Sequence, residues 1–170
     1  MGTGVTPLYD GWQRINAHLV AGLPKLGQRE LELKAGPDGW PIWALVAHLA
    51  GARVYWLCGV FGEPGAETTP FPDPQGGAGW GDRLDVPRDG DELLIAVESS
   101  WRIIEACLNR WTPDTLARTA NRERGTEIQV HSRQSVLTRL VMHDSFHRGE
   151  LSMVQGMHRV PCRAPWEPLV

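Results

Sequence analysis

Apolar residues recur every three or four positions in several long segments, and this periodicity is the strongest constraint on how the chain can fold. In the first segment, from Leu8 to Leu26, the apolar positions fall on one face of a helix. A second and more uniformly apolar segment runs from Ile42 to Val60, and Pro41 before it suits a first helical position. Both segments are therefore predicted to be helices.

Two further segments continue the pattern. A third helix is predicted from the acidic group at 89–92, which suits the positive end of a helix dipole, to about Trp111, with its apolar residues in the a and d spacing of a bundle. The last long helix is predicted from Ser132 to Met157. A chain of 170 residues is the size of one domain, so we predict an all-α fold, a four-helix bundle spanning residues 1–170.

The segments between these helices have a different composition. Residues 61–90 are rich in Gly and Pro and are predicted to form a long loop without regular structure, either a lid or a passive covering that docks through Phe71 and Trp80. Residues 116–131 are typical of a weak hairpin or an irregular crossover. The tail from Pro161 is predicted to be an extended strap or part of a subunit contact.

Composition excludes several classes of protein. The net charge of −3 and the mixed charge pattern give no extended positive surface, so nucleic acid is not an expected partner. The three widely spaced cysteines do not suggest a disulfide framework or a thiolate zinc site, which favours a reducing cytoplasm. The amino end lacks a basic start followed by an apolar run, and no apolar stretch is expected to reach the length that spans a bilayer. We therefore expect no membrane partner.

Two histidines in the last helix have the spacing of a metal chelate. His143 and His147 are four residues apart, which places their rings on one helical face with about 5–6 Å between the Cβ atoms. They share the stripe that the apolar residues define, where a polar ring needs a partner. A metal ion is one such partner. A hydrogen-bonded core pair, or a helix edge that faces water, is the alternative.

His48 is the third candidate ligand, because every neighbour in the second predicted helix is apolar or small. Taken alone it could be a core histidine with a hydrogen-bond partner. Glu150 projects close to His147 and could orient a ligand ring or exchange a proton with a metal-bound water, although it could equally be solvated or paired with an arginine. Asp144 falls on a neighbouring face. The other three histidines, His18, His131 and His158, are predicted to be structural or exposed.

The residues that carry these predictions also form a recognisable pattern, AHLAGA at 47–52 and HDSFHRGE at 143–150. With them the chain resembles the DinB-like, or YfiT-like, superfamily of damage-inducible four-helix-bundle metalloproteins. The resemblance implies an up-down-down-up bundle, often a homodimer, with zinc or nickel held by His48, His143 and His147. It also implies that water or substrate completes the metal shell.

Relatives in that superfamily include thiol transferases that use low-molecular-weight thiols, a mycothiol-dependent isomerase and metal-dependent hydrolases. The resemblance therefore implies an enzyme acting on a small molecule, a thiol S-transferase or hydrolase, with a low-molecular-weight thiol as a possible cosubstrate. From its position on the helix, Glu150 is the candidate catalytic residue. The alternative is a non-catalytic, metal-stabilised module for stress response or ligand binding. An open metal position favours the enzyme, and a fourth protein ligand favours the structural role.

Overall fold

In this computed structural model, which describes residues 4–75 and 82–169, the chain forms five α-helices and one β-hairpin. The helices are α1 Asp10–Gly22, α2 Gln28–Leu31, α3 Ile42–Val54, α4 Gly90–Arg110 and α5 Arg133–Met157, and the hairpin pairs β1 Thr119–Arg124 with β2 Glu127–Ser132. Helices dominate, which confirms the predicted all-α class.

The four longer helices share one hydrophobic core. Helix α3 packs against α4 and α5, and α1 packs against the same two helices. Trp12 of α1, Leu49 of α3, Ile104 of α4 and Leu140 of α5 all lie in this core and are almost fully buried. Each such side chain stabilises the fold by roughly 1.5–3 kcal/mol through the apolar surface that it removes from water. The predicted periodicity therefore describes the packing of the core.

Helix α3 continues directly into a π-helical segment, Tyr55–Val60, so the predicted second helix is one continuous helical rod from Ile42 to Val60. This rod has 19 residues and is long and apolar enough to cross a membrane, so the expectation that no stretch reaches such a length was wrong. However, 72% of its most apolar window is buried inside the protein. The rod therefore has the position of a core helix.

The first helix is shorter than predicted. Its regular part is preceded by a 3-10 turn at Thr6–Tyr9 and followed by another at Leu23–Lys25, where Pro24 has no backbone N–H to continue the α-helical hydrogen bonds. Leu8, placed on the buried face by the periodicity, is 72% exposed. The short helix α2 was also not predicted.

Helix α4 begins where the acidic residues predicted. The side chain of Asp89 accepts a hydrogen bond from the Glu92 backbone N–H at 2.9 Å, and the Glu92 carboxylate accepts one from the Asp89 N–H at 3.1 Å. This reciprocal capping box satisfies two backbone donors that the first helical turn leaves free. The start of α4, which the acidic residues predicted, is thus fixed by specific side-chain contacts.

Residues 116–131, for which a hairpin or a crossover was expected, contain the hairpin. Its turn uses Gly125 at a φ of +61°, a conformation that residues with a Cβ rarely adopt. Arg122 of β1 donates a hydrogen bond to the Tyr55 hydroxyl at 2.7 Å, so the hairpin is attached to the π-helical segment.

The described part of the loop after the π-helical segment has local structure. It contains a 3-10 turn at Ala66–Thr68, so the expectation of no regular structure was wrong; the Thr68 hydroxyl stabilises the turn by donating to the Gly65 carbonyl at 2.7 Å. Phe71 is 6% exposed and packs against Gly51, where an added Cβ would lie 3.1 Å from its ring. Phe71 therefore docks as predicted, whereas Trp80 lies outside the described residues. The two roles proposed for the loop, lid and passive covering, both stay open.

The tail from Pro161 to Leu169, called the C-terminal strap below, contains no helix or strand. It packs against α5, where Arg148 donates a hydrogen bond to the Arg163 carbonyl at 3.0 Å. This arrangement agrees with the predicted strap.

Candidate metal centre

Three imidazole rings from two helices meet at one end of the core. His48 comes from the middle of α3, between the fully buried Ala47 and Leu49, and His143 and His147 come from one face of α5. Each ring offers a nitrogen, and these three nitrogens all lie within 4.8 Å of one another. Nitrogen ligands bind a divalent ion at about 2.0–2.1 Å, and a group this close together could hold a metal ion. The predicted proximity of His48 to His143 and His147 is therefore confirmed.

A carboxylate faces the Nδ1 side of every ring in this group. His48 Nδ1 lies 2.8 Å from Asp82 Oδ1, and His147 Nδ1 lies 2.6 Å from Glu150 Oε2. His143 Nδ1 lies 4.0 Å from an oxygen of Asp144. A histidine that donates its Nδ1–H to a carboxylate keeps a lone pair on Nε2, and this is the usual arrangement around metal-binding histidines.

The Nε2 atoms of His48 and His143 point at each other, 3.0 Å apart. When Asp82 accepts the Nδ1–H of His48, the Nε2 lone pair of His48 faces His143 and needs a positive partner. A proton on His143 Nε2 can satisfy it, and so can a cation. The Nδ1 of His143 lies 4.0 Å from a carboxylate oxygen of Asp144, and a proton on this nitrogen would leave the Nε2 lone pairs of both rings free for a cation.

The electrostatics favour the neutral form of His147. Burial lowers the pKa of His147, the charge of nearby His143 lowers it further, and the hydrogen bond to Glu150 opposes both effects. A neutral imidazole is the form that binds a metal ion. The lowered pKa therefore favours the form of the ring that binds a metal ion.

The centre opens onto a cavity of about 330 Å³. Its lining includes His48, His147, Glu150 and Met153, together with Trp40, whose ring meets the His48 ring edge-on with 5.3 Å between centroids. Among residues 4–75 and 82–169, no fourth His, Cys, Asp or Glu completes the group. A small molecule can therefore approach the rings of His48 and His147 from the cavity, whereas His143 does not line it.

Asp144 was underestimated from sequence. As predicted, it lies on a face of α5 next to the one that carries His143 and His147. Its side chain is fully buried behind His143, and it accepts hydrogen bonds from Trp12 Nε1 at 2.6 Å and from Arg53 Nε at 3.0 Å. Burial acts to raise the pKa of Asp144, but the positive charge of Arg53 and these hydrogen bonds outweigh it and hold the pKa low. A lone arginine inside an otherwise apolar helix was the sequence signal for such a partner.

Asp82 was missed altogether, because it lies in the Gly/Pro-rich loop, where no periodicity indicates which way a side chain points. The remaining histidines are apart from the centre. His18 is 5% exposed, His131 stacks edge-on against Trp56, and His158 is exposed beside the Lys34 carbonyl. These positions fit the predicted structural or exposed roles.

Comparison with known proteins agrees with the pattern of the histidine segments. The family model described as the DinB superfamily matches residues 8–151, a range that includes all three rings. The chain belongs to the DinB superfamily. A solved structure of a DinB-like protein from Bacillus cereus ATCC 10987 superposes on this DinB-superfamily chain with a TM-score of 0.70, covering 96% of this chain and 99% of that one. Its sequence identity is 14%, so the likeness shows the fold alone. No curated protein matches the sequence.

Proposed function

We propose that this DinB-superfamily protein is a metal-dependent enzyme acting on small molecules, either a thiol S-transferase or a hydrolase. One observation carries the proposal: three imidazoles, two of them hydrogen-bonded to carboxylates, converge beside a cavity that a small molecule can enter. Such a group has the composition of a catalytic metal site, with three protein ligands and room for another.

His48, His143 and His147 would hold the ion in this proposal. Three imidazoles suit zinc and nickel, the two metals that we consider first. When bound, the ion would act as a Lewis acid toward a small-molecule substrate or toward the sulfur of a low-molecular-weight thiol cosubstrate.

The protein's own residues would prepare the rings for this role. Asp82 and Glu150 accept the Nδ1 protons of two rings, which directs their Nε2 atoms to a common point. Glu150 also lines the cavity and is partly exposed, so it could exchange a proton with a molecule bound there. Its 2.6 Å contact with His147 supports the orienting role more directly than the proton-transfer role.

The alternative is a non-catalytic module in which an ion fastens α3 to α5. The cavity beside the rings favours the enzyme, because a purely structural site is normally closed by a fourth protein ligand. The two functions differ in what metal removal does. A structural ion would supply a large part of the folding free energy, whereas a catalytic ion would be needed mainly for turnover.

The first test is metal analysis of the purified protein. We expect about one zinc or nickel per chain in the wild type, almost none in the His143→Ala, His147→Ala double variant, and the wild-type content in His158→Ala, which removes an exposed histidine outside the centre. Equal metal content in the double variant would refute the site.

The second test measures activity with a panel of thiol-conjugation, ester and amide substrates. Turnover that disappears on chelation and returns with the metal supports the enzyme. Stoichiometric metal without turnover, combined with a large loss of thermal stability on chelation, supports the structural module instead.

We further propose that the protein is a cytoplasmic homodimer. All three cysteines are free thiols, which suits a reducing compartment, and Met142 and Phe146 of α5 are more than 60% exposed apolar side chains that a subunit contact could cover. Sedimentation equilibrium tests the dimer, and a single monomeric species at micromolar concentration contradicts it.

A further inference from the structure

A second cavity lies between α1, the start of α3, α5 and the C-terminal strap. Its volume is about 390 Å³, and it shares no lining residue with the cavity at the metal centre. Much of its wall is apolar, with Leu19, Leu23, Ile42, Val46 and Leu151 contributing side chains. Its size is that of a pocket for a small organic molecule.

The charged residues around this second cavity are all basic. Lys25, Arg148 and Arg163 line it, and no described lining residue is Asp or Glu. The chain as a whole carries a net charge of −3, so the charge around this cavity has the opposite sign to the net charge of the protein. An apolar cavity with a cationic wall matches a ligand that has an apolar body and an anionic group.

Arg148 is the most informative of these cations, because it is only 9% exposed. Its guanidinium donates to the Ser152 hydroxyl at 3.0 Å, the Cys162 sulfur at 3.2 Å and the Arg163 carbonyl at 3.0 Å. All three partners are uncharged groups in their ordinary states, and Arg148 forms no ion pair with a described acidic residue. A buried guanidinium is usually paired with an anion.

His18 provides an independent sign of a missing partner. Its side chain comes from α1 and lines the same cavity, and the residue is 5% exposed. Its buried Nε2 has no hydrogen-bond partner within the described residues. Buried polar atoms without a partner are destabilising, and because this one has almost no accessible surface, a ligand oxygen would reach it only after the ring turns toward the cavity.

We propose that this second cavity binds a small carboxylate with an aliphatic body. The carboxylate pairs with Arg148, whose planar guanidinium can donate to both carboxylate oxygens. The aliphatic chain of the ligand lies against the leucine and isoleucine side chains of the cavity wall. His18 supplies a second polar contact once its ring turns toward the cavity. Cys162 belongs to the exposed strap and can leave the guanidinium as the carboxylate arrives, so the core helices need not move.

The test uses octanoate as the probe and calorimetric titration of the intact protein. We expect octanoate to bind with a stoichiometry of one and 1-octanol to bind at least tenfold more weakly, because a charge-assisted hydrogen bond contributes about 1.5–3 kcal/mol. Arg148→Met should weaken octanoate by a similar factor, and Arg29→Met, which removes an exposed arginine of α2, should not change it.

A second measurement needs no variant and therefore does not depend on the folding of Arg148→Met. In heteronuclear NMR spectra of the wild type, octanoate should shift the resonances of His18 and of residues 160–163, and leave those of the hairpin at 119–132 unchanged. The proposal is overturned if octanol binds as tightly as octanoate, if millimolar octanoate does not bind, or if the shifted resonances lie elsewhere.

Discussion

Asp144 Oδ2 lies 2.7 Å from Nη2 of Arg53, and neither side chain has any exposed surface. This ion pair joins α5 to α3, and the hydrogen bond from Trp12 to the same oxygen adds α1. Because Asp144 follows His143 directly, the pair also fixes the backbone that carries one of the three converging rings. The charges are satisfied inside the core only as long as both partners are present.

Replacing Asp144 with Asn should therefore be strongly destabilising. The side chain keeps its shape, but the Arg53 guanidinium is left buried without an anion, so we expect the free energy of unfolding to fall by about 3–5 kcal/mol in urea denaturation. The control is Asp85→Asn, since Asp85 pairs with Arg83 at 3.1 Å on the surface, where both side chains are more than half exposed. That change should leave the free energy of unfolding close to the wild-type value, because solvent screens an exposed ion pair. Similar losses in the two variants would contradict this account.

Glu63 should be the main anchor of the loop that follows the π-helical segment. Its buried carboxylate pairs with Arg110 and with Arg133, and it accepts a hydrogen bond from Trp111 Nε1 at 3.2 Å. We expect Glu63→Gln to lower the free energy of unfolding by about 1.5–3 kcal/mol, because the amide loses the charge-assisted part of these contacts. Glu98→Gln, on the exposed side of α4, should change stability little, and an equal effect there would argue against the anchor.

The buried thiols predict a loss of stability at alkaline pH. Burial raises the pKa of Cys107 to about 12 and that of Cys58 to about 11, whereas the thiol pKa of a cysteine in an unfolded chain is about 8.5. The folded state thus holds protons that the unfolded state releases, so this contribution to stability is complete below about pH 8.5 and is lost as pH rises toward 11–12.

The measurement is the free energy of unfolding between pH 8 and pH 11. We expect a decline above pH 9 that is shallower in Cys107→Ala than in the wild type. Cys162→Ala changes an exposed thiol and should keep the wild-type slope. An unchanged slope in Cys107→Ala would show that other groups cause the decline.

Metal binding should raise thermal stability in a way that depends on His48. At free zinc or nickel one hundred times above the dissociation constant, the free energy of unfolding should increase by about 2.7 kcal/mol. We expect calorimetry to show no such increase for His48→Ala and the full increase for His158→Ala. A metal-induced increase of the same size in His48→Ala would mean that the ion binds elsewhere.

The three rings could be located from sequence because each lies in a segment whose apolar residues predict a helix. His143 and His147 share a stripe with Leu140 and Leu151, and His48 lies in a segment that is apolar throughout. The start of α4 was also predictable, since its cap is local. The hairpin remained one of two possibilities because its pattern is weak.

The contacts that surround the rings could not be predicted in the same way. Trp12 and Asp144 are 132 positions apart, and Arg53 and Asp144 are 91 apart, so periodicity within one segment cannot indicate that they meet. Asp82 reaches His48 from a loop without regular spacing. Leu8 was misplaced because the helical pattern was extended through a 3-10 turn, where the angular spacing differs.

The rings of His48 and His143 belong to residues 95 positions apart in the chain. An ion shared between the two imidazoles would act as a removable crosslink that closes more than half of the polypeptide into a loop. In the simplest chain-entropy treatment, a permanent link around about 100 residues restricts the unfolded ensemble by about 4.7 kcal/mol. His48 meets the other two rings only when α3 and α5 pack together, so binding of the cation and folding of the chain are expected to be linked.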